Sequence, residues 1–281
     1  MASDRPSPNA KQVFWFNDGK TPNVADVLDN EPEVAMHRLE FSTPDSENWP
    51  IIETSHVYCI TSTRDEVPDQ YKATEALLKR CPDLLAVSTS GAGYDPVDLY
   101  ACTKAGVLVV NQTGSNAEAV AEHAVGFILA LTKKMFECDR SLRKERGVSR
   151  ETFKGWDARG KTVGLIGLGN TGRRVARICG LGLEMKVLAY DPYISDADFK
   201  ERGAEKRSLD DLLKESDYVS VHCPYNAETR DMIDTRELEL MKPGAFLVNC
   251  ARGGITNEDA MAKALTENQI AGAALDVWVQ E

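Results

Sequence analysis

The sequence predicts an α/β protein in which parallel β-sheets are covered by helices. Three observations support this fold class. The chain has 281 residues, which is enough for about two domains. Short apolar strands alternate with helical stretches along most of its length, a pattern that favours parallel sheets with helical crossovers. A glycine-rich turn, GLGNTG at 167–172, lies between a predicted strand and a predicted helix, as in a βαβ unit.

The first third of the chain contains one alternating series. Apolar segments such as VFWF and GVLVVN predict strands, and longer segments with polar and apolar faces predict the helices between them. The predicted strands cover 13–16, 56–62, 84–90 and 106–111, and the predicted helices cover 69–81 and 96–105.

The middle of the chain contains NAEAVAEHAVGFILALTKKM at 116–135. This segment is apolar on nearly every side from Ala117 to Leu131, which predicts a helix buried on most faces. We expect His123, within it, to be a structural histidine. The charged stretch at 139–160 has no clear apolar period and is expected to cross the surface.

A second alternating series begins after Gly160. Ser208 and Asn257 precede two of its helices and are expected to be N-caps. The predicted strands cover 162–167, 186–191, 218–223, 244–250 and 271–277, and the predicted helices cover 171–180, 208–216 and 257–268.

Composition excludes several classes of function. The net charge of −11 argues against nucleic acid or an anionic membrane as a partner, because both require clustered Lys and Arg. No apolar run is long enough to span a bilayer, and the first residues read as a polar tail. The seven cysteines lack metal-ligand spacing. They are interpreted as buried free thiols of a cytoplasmic protein, and no metal site is predicted.

The glycine-rich turn predicts dinucleotide binding. Gly167 allows the tight turn, Gly169 lets the backbone approach a pyrophosphate, and Gly172 lets the helix pack against the strand. The start of the helix then offers free N–H groups to the phosphates. Asp191 ends the next strand, where a carboxylate accepts hydrogen bonds from the adenosine ribose and repels a 2′-phosphate. The cofactor is therefore predicted to be NAD rather than NADP.

From about residue 84 onward, the chain resembles the D-2-hydroxyacid dehydrogenases, the family of phosphoglycerate dehydrogenase and hydroxypyruvate reductase. The segments that carry the resemblance are GAGYD (91–95), NAEAVAEHAVGFILAL (116–131), GKTVGLIGLGNTG (160–172) and VNCARGGITNEDAMAKAL (248–265). The resemblance implies two Rossmann-like or flavodoxin-like domains with the active site in the cleft between them. The substrate domain is expected at 1–115 and the NAD-binding domain at 116–281. It also implies a homodimer, for which the helix at 117–131 is the candidate contact.

The resemblance further implies roles for individual residues. Amides around Ala92 and Gly93 would hold the substrate carboxylate, and Asp276 would receive the nicotinamide carboxamide. The remaining cofactor-binding residues that it implies follow two strands. Cys223 and Pro224 follow the first, on the nicotinamide side, and Cys250, Ala251 and Arg252 follow the second. The GLGNTG loop departs from the family, in which Arg-Ile is commoner than Asn-Thr. By the resemblance, Asn170 and Thr171 would still donate backbone N–H groups to the pyrophosphate, whereas an arginine contact to phosphate would be lost.

Arg252 is the strongest catalytic candidate. It follows the apolar run AFLVNCA and precedes two glycines, so a fixed charge lies at the end of a predicted buried strand. Its planar guanidinium can bind a 2-oxo carboxylate through two hydrogen bonds and polarise the carbonyl during hydride transfer. The structural alternative is an exposed loop arginine.

The family places a glutamate after the strand that bears Asp276, and a catalytic histidine farther along. Glu281 occupies the position of that glutamate, whose charge would raise the histidine's pKa. None of His37, His56, His123 and His222 matches the histidine's position. The sequence is therefore interpreted as a truncated dehydrogenase for a D-2-hydroxy acid and its 2-oxo acid, impaired without the histidine segment. Two alternatives remain open: an NAD(H)-sensing regulator on the same fold, and a natural pseudoenzyme.

Overall fold

The computed structural model describes residues 9–17, 28 and 31–279. The chain divides into two compact units, Met1–Asn116 and Ala117–Glu281, called unit one and unit two below. Among the described residues, each unit contains one sheet whose strands are all parallel. The predicted fold class, two α/β parallel-sheet domains, is confirmed.

The sheet of unit one has five strands in the order β2-β1-β3-β4-β5, the order of flavodoxin-like folds. The sequence analysis did not predict β2. The strands are β1 (Lys11–Phe16), β2 (Val34–Leu39), β3 (Val57–Ile60), β4 (Ala86–Thr89) and β5 (Leu108–Val110).

The α-helices whose bounds the described residues of this unit give are α1 (Asp45–Ile52), α2 (Glu75–Arg80) and α3 (Leu99–Ala105). The core is aromatic: the rings of Phe14 and Tyr58 stack with centroids 4.2 Å apart. The predicted helix at 69–81 is instead a 3₁₀ turn, Asp69–Tyr71, followed by α2. The interruption arises because Ala73 is extended and pairs with Val97 in an isolated bridge.

The sheet of unit two has six strands in the order β11-β10-β9-β6-β7-β8. Counted from its own first strand this order is 6-5-4-1-2-3, which is that of doubly wound dinucleotide-binding folds. The order reverses between β6 and β9, and ligands bind such sheets at the carboxyl ends of these strands. The strands are β6 (Thr162–Ile166), β7 (Lys186–Tyr190), β8 (Glu205–Lys206), β9 (Tyr218–Val221), β10 (Phe246–Asn249) and β11 (Gly272–Leu275).

The helices of unit two are α4 (Ala117–Thr132), α5 (Met135–Lys144), α6 (Gly172–Arg177), α7 (Asp196–Glu201), α8 (Leu209–Glu215), α9 (Thr235–Leu240) and α10 (Glu258–Thr266). A π-helical turn, Ile178–Gly182, extends α6. The predicted N-caps are confirmed, since Ser208 and Asn257 accept hydrogen bonds from the amides of Asp211 and Ala260.

The charged stretch from 139 onward was expected to cross the surface. Its first residues belong to α5, a helix with no buried residue. An ion pair between Asp139 and Arg143, 2.8 Å apart and four positions apart, stabilises its exposed face. Lys134, at a positive φ of 52°, separates it from α4.

Among the described residues, no helix is long and apolar enough to cross a membrane, and no group of His, Cys, Asp and Glu could hold a metal ion. The seven cysteines are free thiols, four of them buried.

Candidate functional site

The turn at 167–172, called the glycine loop below, joins β6 to α6 and packs against the end of β9. Gly167 has a φ of +93°, and a Cβ there would lie 2.9 Å from the amide nitrogen of Cys223. A Cβ on Gly172 would lie 2.2 Å from the carbonyl oxygen of Gly167. Any side chain at either position would displace backbone, so the loop requires glycine at both.

The tip of the glycine loop can bind an anion. A Cβ added to Gly169 would meet no atom within 4 Å, so its backbone borders open space. In the described part of the chain, the N–H groups of Gly169, Asn170 and Thr171 have no hydrogen-bond acceptor. The Asn170 side-chain oxygen accepts from Arg173, 3.0 Å away. Three consecutive free amides beside open space fit a pyrophosphate group.

Asp191 directly follows β7, next to the glycine loop. Its Oδ2 accepts from the amide of Leu168 at 2.9 Å, and its Oδ1 accepts from the amide of Tyr193 at 3.0 Å. Each carboxylate oxygen has a further lone pair for a ribose hydroxyl. The residues present therefore fit the adenosine half of a dinucleotide as well as its phosphates.

Cys223 and Pro224 follow β9. Burial raises the pKa of the Cys223 thiol to about 11, with a smaller contribution from the Asp191 carboxylate. The Pro224 carbonyl accepts from the Thr229 hydroxyl at 2.6 Å, which fixes the start of the next loop. A place on the nicotinamide side stays a prediction for both residues.

The end of β10 carries Arg252 on a turn that Asn249 holds. The Asn249 Oδ1 accepts from the amide of Ala251, and its Nδ2 donates to the carbonyl of Arg252, both at 3.0 Å. Asn249 is buried, so this turn has a fixed shape. The sequence analysis missed this role, although a polar residue that ends a buried strand was a usable signal.

Arg252 is half-buried, and its Nη1 donates to the Ala251 carbonyl at 2.7 Å. The segment after β11 crosses directly over Gly253. A Cβ there would lie 1.8 Å from the carbonyl oxygen of Trp278. The pair of glycines after Arg252 therefore has a packing role, because it admits this segment beside the arginine.

Asp276, at the end of β11, lies beside His123. The His123 Nε2 is 3.5 Å from the Asp276 Oδ1, and both side chains are about half exposed. This corrects the expectation of a buried histidine: α4 buries Ala121, Ala124 and similar residues, whereas His123 is on its other face. Burial raises the pKa of the neighbouring Cys250 thiol to about 12, with the Asp276 charge adding to the shift.

The parallel sheet thus brings most predicted cofactor-binding residues of unit two to the carboxyl ends of its strands. They follow β6, β7, β9, β10 and β11, whose carboxyl ends lie together. The predicted catalytic Glu281 lies outside the described residues.

In unit one, the predicted carboxylate loop follows β4. Asn111, just after β5, donates from Nδ2 to the Ala92 carbonyl at 2.9 Å. In a trans peptide the C=O and N–H point in opposite directions, so this bond directs the Gly93 N–H away from Asn111. Asn111 is a second positioning residue that the sequence analysis missed.

His222 lies beneath the glycine loop. Its Nε2 is 2.9 Å from the Ser220 hydroxyl, whereas its buried Nδ1 has no hydrogen-bond partner in the described part of the chain. Burial lowers the pKa of His222 to about 4. The imidazole is therefore neutral at physiological pH.

The neutral His222 predicts a pH-dependent stability. An unfolded histidine has a pKa of about 6.5, so between pH 6.5 and pH 4 the unfolded chain takes up a proton that the folded chain does not. Above pH 6.5 the histidine is neutral in both states, so it does not lower the free energy of unfolding. As the pH falls from 6.5 to 4, protonation of the unfolded chain lowers that free energy by about 3 kcal/mol. Urea unfolding from pH 7 to pH 4 should show that His222→Gln loses less stability than the wild type. Parallel curves for the two proteins would exclude this role.

Fold and site together define unit two as a dinucleotide-binding domain. An arginine lies at the carboxyl ends of its strands, where sheets of this kind bind their ligands. Residues 125–281 match the family model described as D-isomer specific 2-hydroxyacid dehydrogenase, NAD binding domain. The chain belongs to the D-isomer-specific 2-hydroxyacid dehydrogenase family.

Individual relatives agree with this assignment. D-3-phosphoglycerate dehydrogenase of Mycobacterium tuberculosis is 45% identical over 206 residues, which cover 73% of this chain and 38% of that enzyme. Glyoxylate reductase of Thermococcus litoralis is 37% identical over 216 residues, covering 75% of this chain and 65% of that enzyme. The chain therefore spans less than two thirds of the length of these relatives.

A solved structure extends the likeness to both units. D-lactate dehydrogenase from Aquifex aeolicus, complexed with NAD and lactic acid, superposes with a TM-score of 0.81 at 32% identity. The superposition covers 95% of this chain and 77% of that one.

Proposed function

We propose that the protein containing this chain is an NAD-dependent oxidoreductase that interconverts a D-2-hydroxy acid and its 2-oxo acid by hydride transfer. The observation that carries the proposal is the joint placement of the glycine loop, Asp191 and Arg252 at one sheet edge. The relatives named above are dehydrogenases and reductases, so a purely regulatory role is not favoured.

Each part of the site has a role in this proposal. NAD, when bound, supplies the hydride acceptor or donor. The glycine-loop amides bind its pyrophosphate, and Asp191 binds the adenosine ribose. Arg252 binds the substrate carboxylate and stabilises negative charge on the substrate oxygen during reduction. Asp276 orients the nicotinamide carboxamide.

Unit one is proposed to contribute the substrate-binding loop. The Gly93 N–H, whose direction Asn111 sets, would donate to the substrate carboxylate. Substrate identity depends on the side chains around this loop. The proposal therefore names the chemical class, a small D-2-hydroxy or 2-oxo acid.

Cofactor selectivity tests the function. We expect NADH to bind at least about tenfold more tightly than NADPH, because the Asp191 carboxylate repels a 2′-phosphate. Asp191→Asn removes the charge with little change in size and should bring the ratio of the two dissociation constants close to one. Quenching of intrinsic tryptophan fluorescence during titration measures both constants.

The ratio is informative because both cofactors use the same glycine loop. Loop damage from the substitution would weaken the binding of NADH and NADPH equally and leave the ratio of their dissociation constants unchanged. Loss of the charge would change the two constants unequally and so change the ratio. Lys263→Gln, an exposed substitution on α10, is the control and should leave the ratio unchanged. Failure of the wild type to bind either cofactor would overturn the proposed function.

A cytoplasmic homodimer completes the proposal. The apolar face of α4 packs into the core of its own unit, so a contact through α5 is favoured instead. Met135, Phe136 and Leu142 on α5 are each about half exposed or more, and Trp156 nearby is similar. These exposed apolar side chains within a short stretch of chain favour burial against a second copy. Light scattering of the intact protein should give twice the subunit mass.

A further inference from the structure

Leu168 is held through its backbone N–H and C=O by side chains from two other elements. The Leu168 amide donates to Asp191 Oδ2 at 2.9 Å, and the Leu168 carbonyl accepts from Arg202 Nη1 at 2.8 Å. The Leu168 side chain is fully buried, which anchors the residue itself. Arg202 follows α7 and belongs to no motif in the sequence.

The bond from Arg202 sets the direction of the next amide. In a trans peptide the carbonyl of one residue and the N–H of the next point in opposite directions. With the Leu168 carbonyl drawn toward Arg202, the Gly169 N–H faces away from it. That amide has no acceptor among the described residues, and its glycine borders open space.

Glycine cannot maintain this orientation by itself. A residue without Cβ reaches almost all backbone conformations, so the peptide before Gly169 could rotate and present its carbonyl oxygen instead. A carbonyl dipole in that position would repel a phosphate. A charge-assisted hydrogen bond to the Leu168 carbonyl opposes the rotation.

Arg202 is itself held in place. Its side chain is about one quarter exposed, and its Nη2 is 3.4 Å from the Asp198 Oδ1. Asp198 Oδ2 in turn accepts from the Ser195 amide at 2.9 Å in the capping box at the start of α7. The guanidinium therefore links a fixed helix end to the glycine loop.

We propose that Arg202 is a positioning residue for the pyrophosphate: it holds the Leu168 carbonyl and so directs the Gly169 N–H toward the cofactor. This inference rests on the proposed NAD-binding function. It differs from a purely structural role, in which Arg202 would only tie α7 to the loop.

Two ligands separate these roles. ADP-ribose contains the pyrophosphate, whereas adenosine has only the groups that Asp191 and its surroundings bind. Calorimetric or NMR titration of Arg202→Met should show about tenfold weaker ADP-ribose binding, the effect of one misdirected charge-assisted bond. Adenosine binding should stay within about twofold. Arg202→Lys retains one donor and should lose less ADP-ribose affinity than Arg202→Met.

Arg177→Met is the matched control. Arg177 lies in the same unit and pairs with Glu118 at 3.3 Å, but makes no described contact with the glycine loop. The Arg177→Met variant should bind ADP-ribose and adenosine as tightly as the wild type does. The inference would be overturned if Arg202→Met bound ADP-ribose and adenosine equally more weakly than the wild type. It would also be overturned if neither Arg202→Met nor Arg202→Lys weakened the binding of either ligand. The proposed function fails separately, if the wild type binds no NADH.

Discussion

Gly169→Ala is expected to leave the protein folded while weakening NADH binding at least about tenfold. A Cβ at this position meets no protein atom within 4 Å, and the residue has no positive φ. Unfolding free energy should therefore change by no more than about 1 kcal/mol, and an alanine here even restricts the unfolded chain. The added methyl group instead occupies the space through which a pyrophosphate approaches the loop amides. Denaturant unfolding and NADH titration of the same preparation measure the two effects.

Gly172→Ala is the contrasting variant. Its methyl group would meet the Gly167 carbonyl oxygen at 2.2 Å, so backbone must move. We expect a loss of about 3 kcal/mol or more in unfolding free energy, the range for overpacking against backbone. If Gly169→Ala lost stability as Gly172→Ala does, or bound NADH normally, the assignment of open space above Gly169 to the cofactor would be wrong.

Arg252→Lys is expected to lower kcat/KM for a 2-oxo acid about 100-fold in the intact protein, with NADH affinity within about threefold of the wild type. A lysine retains the charge but cannot form two parallel hydrogen bonds to a carboxylate. Because Asn249 fixes the turn through backbone atoms of residues 251 and 252, the substitution should not disturb the loop. Steady-state kinetics with 2-oxo acids of different size measure the effect.

Arg236→Lys is the matched control for this substitution. Arg236 lies on α9 and pairs with Asp210 at 2.6 Å on the surface. Its replacement should leave kcat/KM unchanged. If Arg252→Lys reduced NADH affinity as much as it reduced kcat/KM, Arg252 would bind the cofactor and would not anchor the substrate.

Local signals account for the parts of the site that the sequence predicted. Gly167, Gly172 and Asp191 belong to a pattern of fixed spacing within one βαβ unit, and the backbone contacts of both glycines explain why that pattern needs glycine. Alternation of strands and helices likewise predicted the fold class, because the period of apolar residues is set by the local backbone.

Long-range contacts account for what the sequence did not predict. Asn111 lies 19 residues from Ala92, and Arg202 lies 34 residues from Leu168, so neither bond has a sequence pattern. His123 was misjudged for a related reason. A helix of mostly apolar residues does not reveal which of its faces meets the sheet until the sheet is in place.

The all-parallel sheet of unit two has a consequence for the order of assembly during synthesis. Parallel strands cannot be joined by tight hairpins, so each ladder closes only after a long excursion of chain. The glycine loop depends on three later parts of the chain, because its contacts come from Asp191 after β7, Arg202 after α7 and Cys223 after β9. A nascent chain therefore has no functional phosphate loop until β9 has docked. Cofactor capture selectively stabilises chains that have passed that point, which makes NAD a ligand of the completed fold and not of its parts.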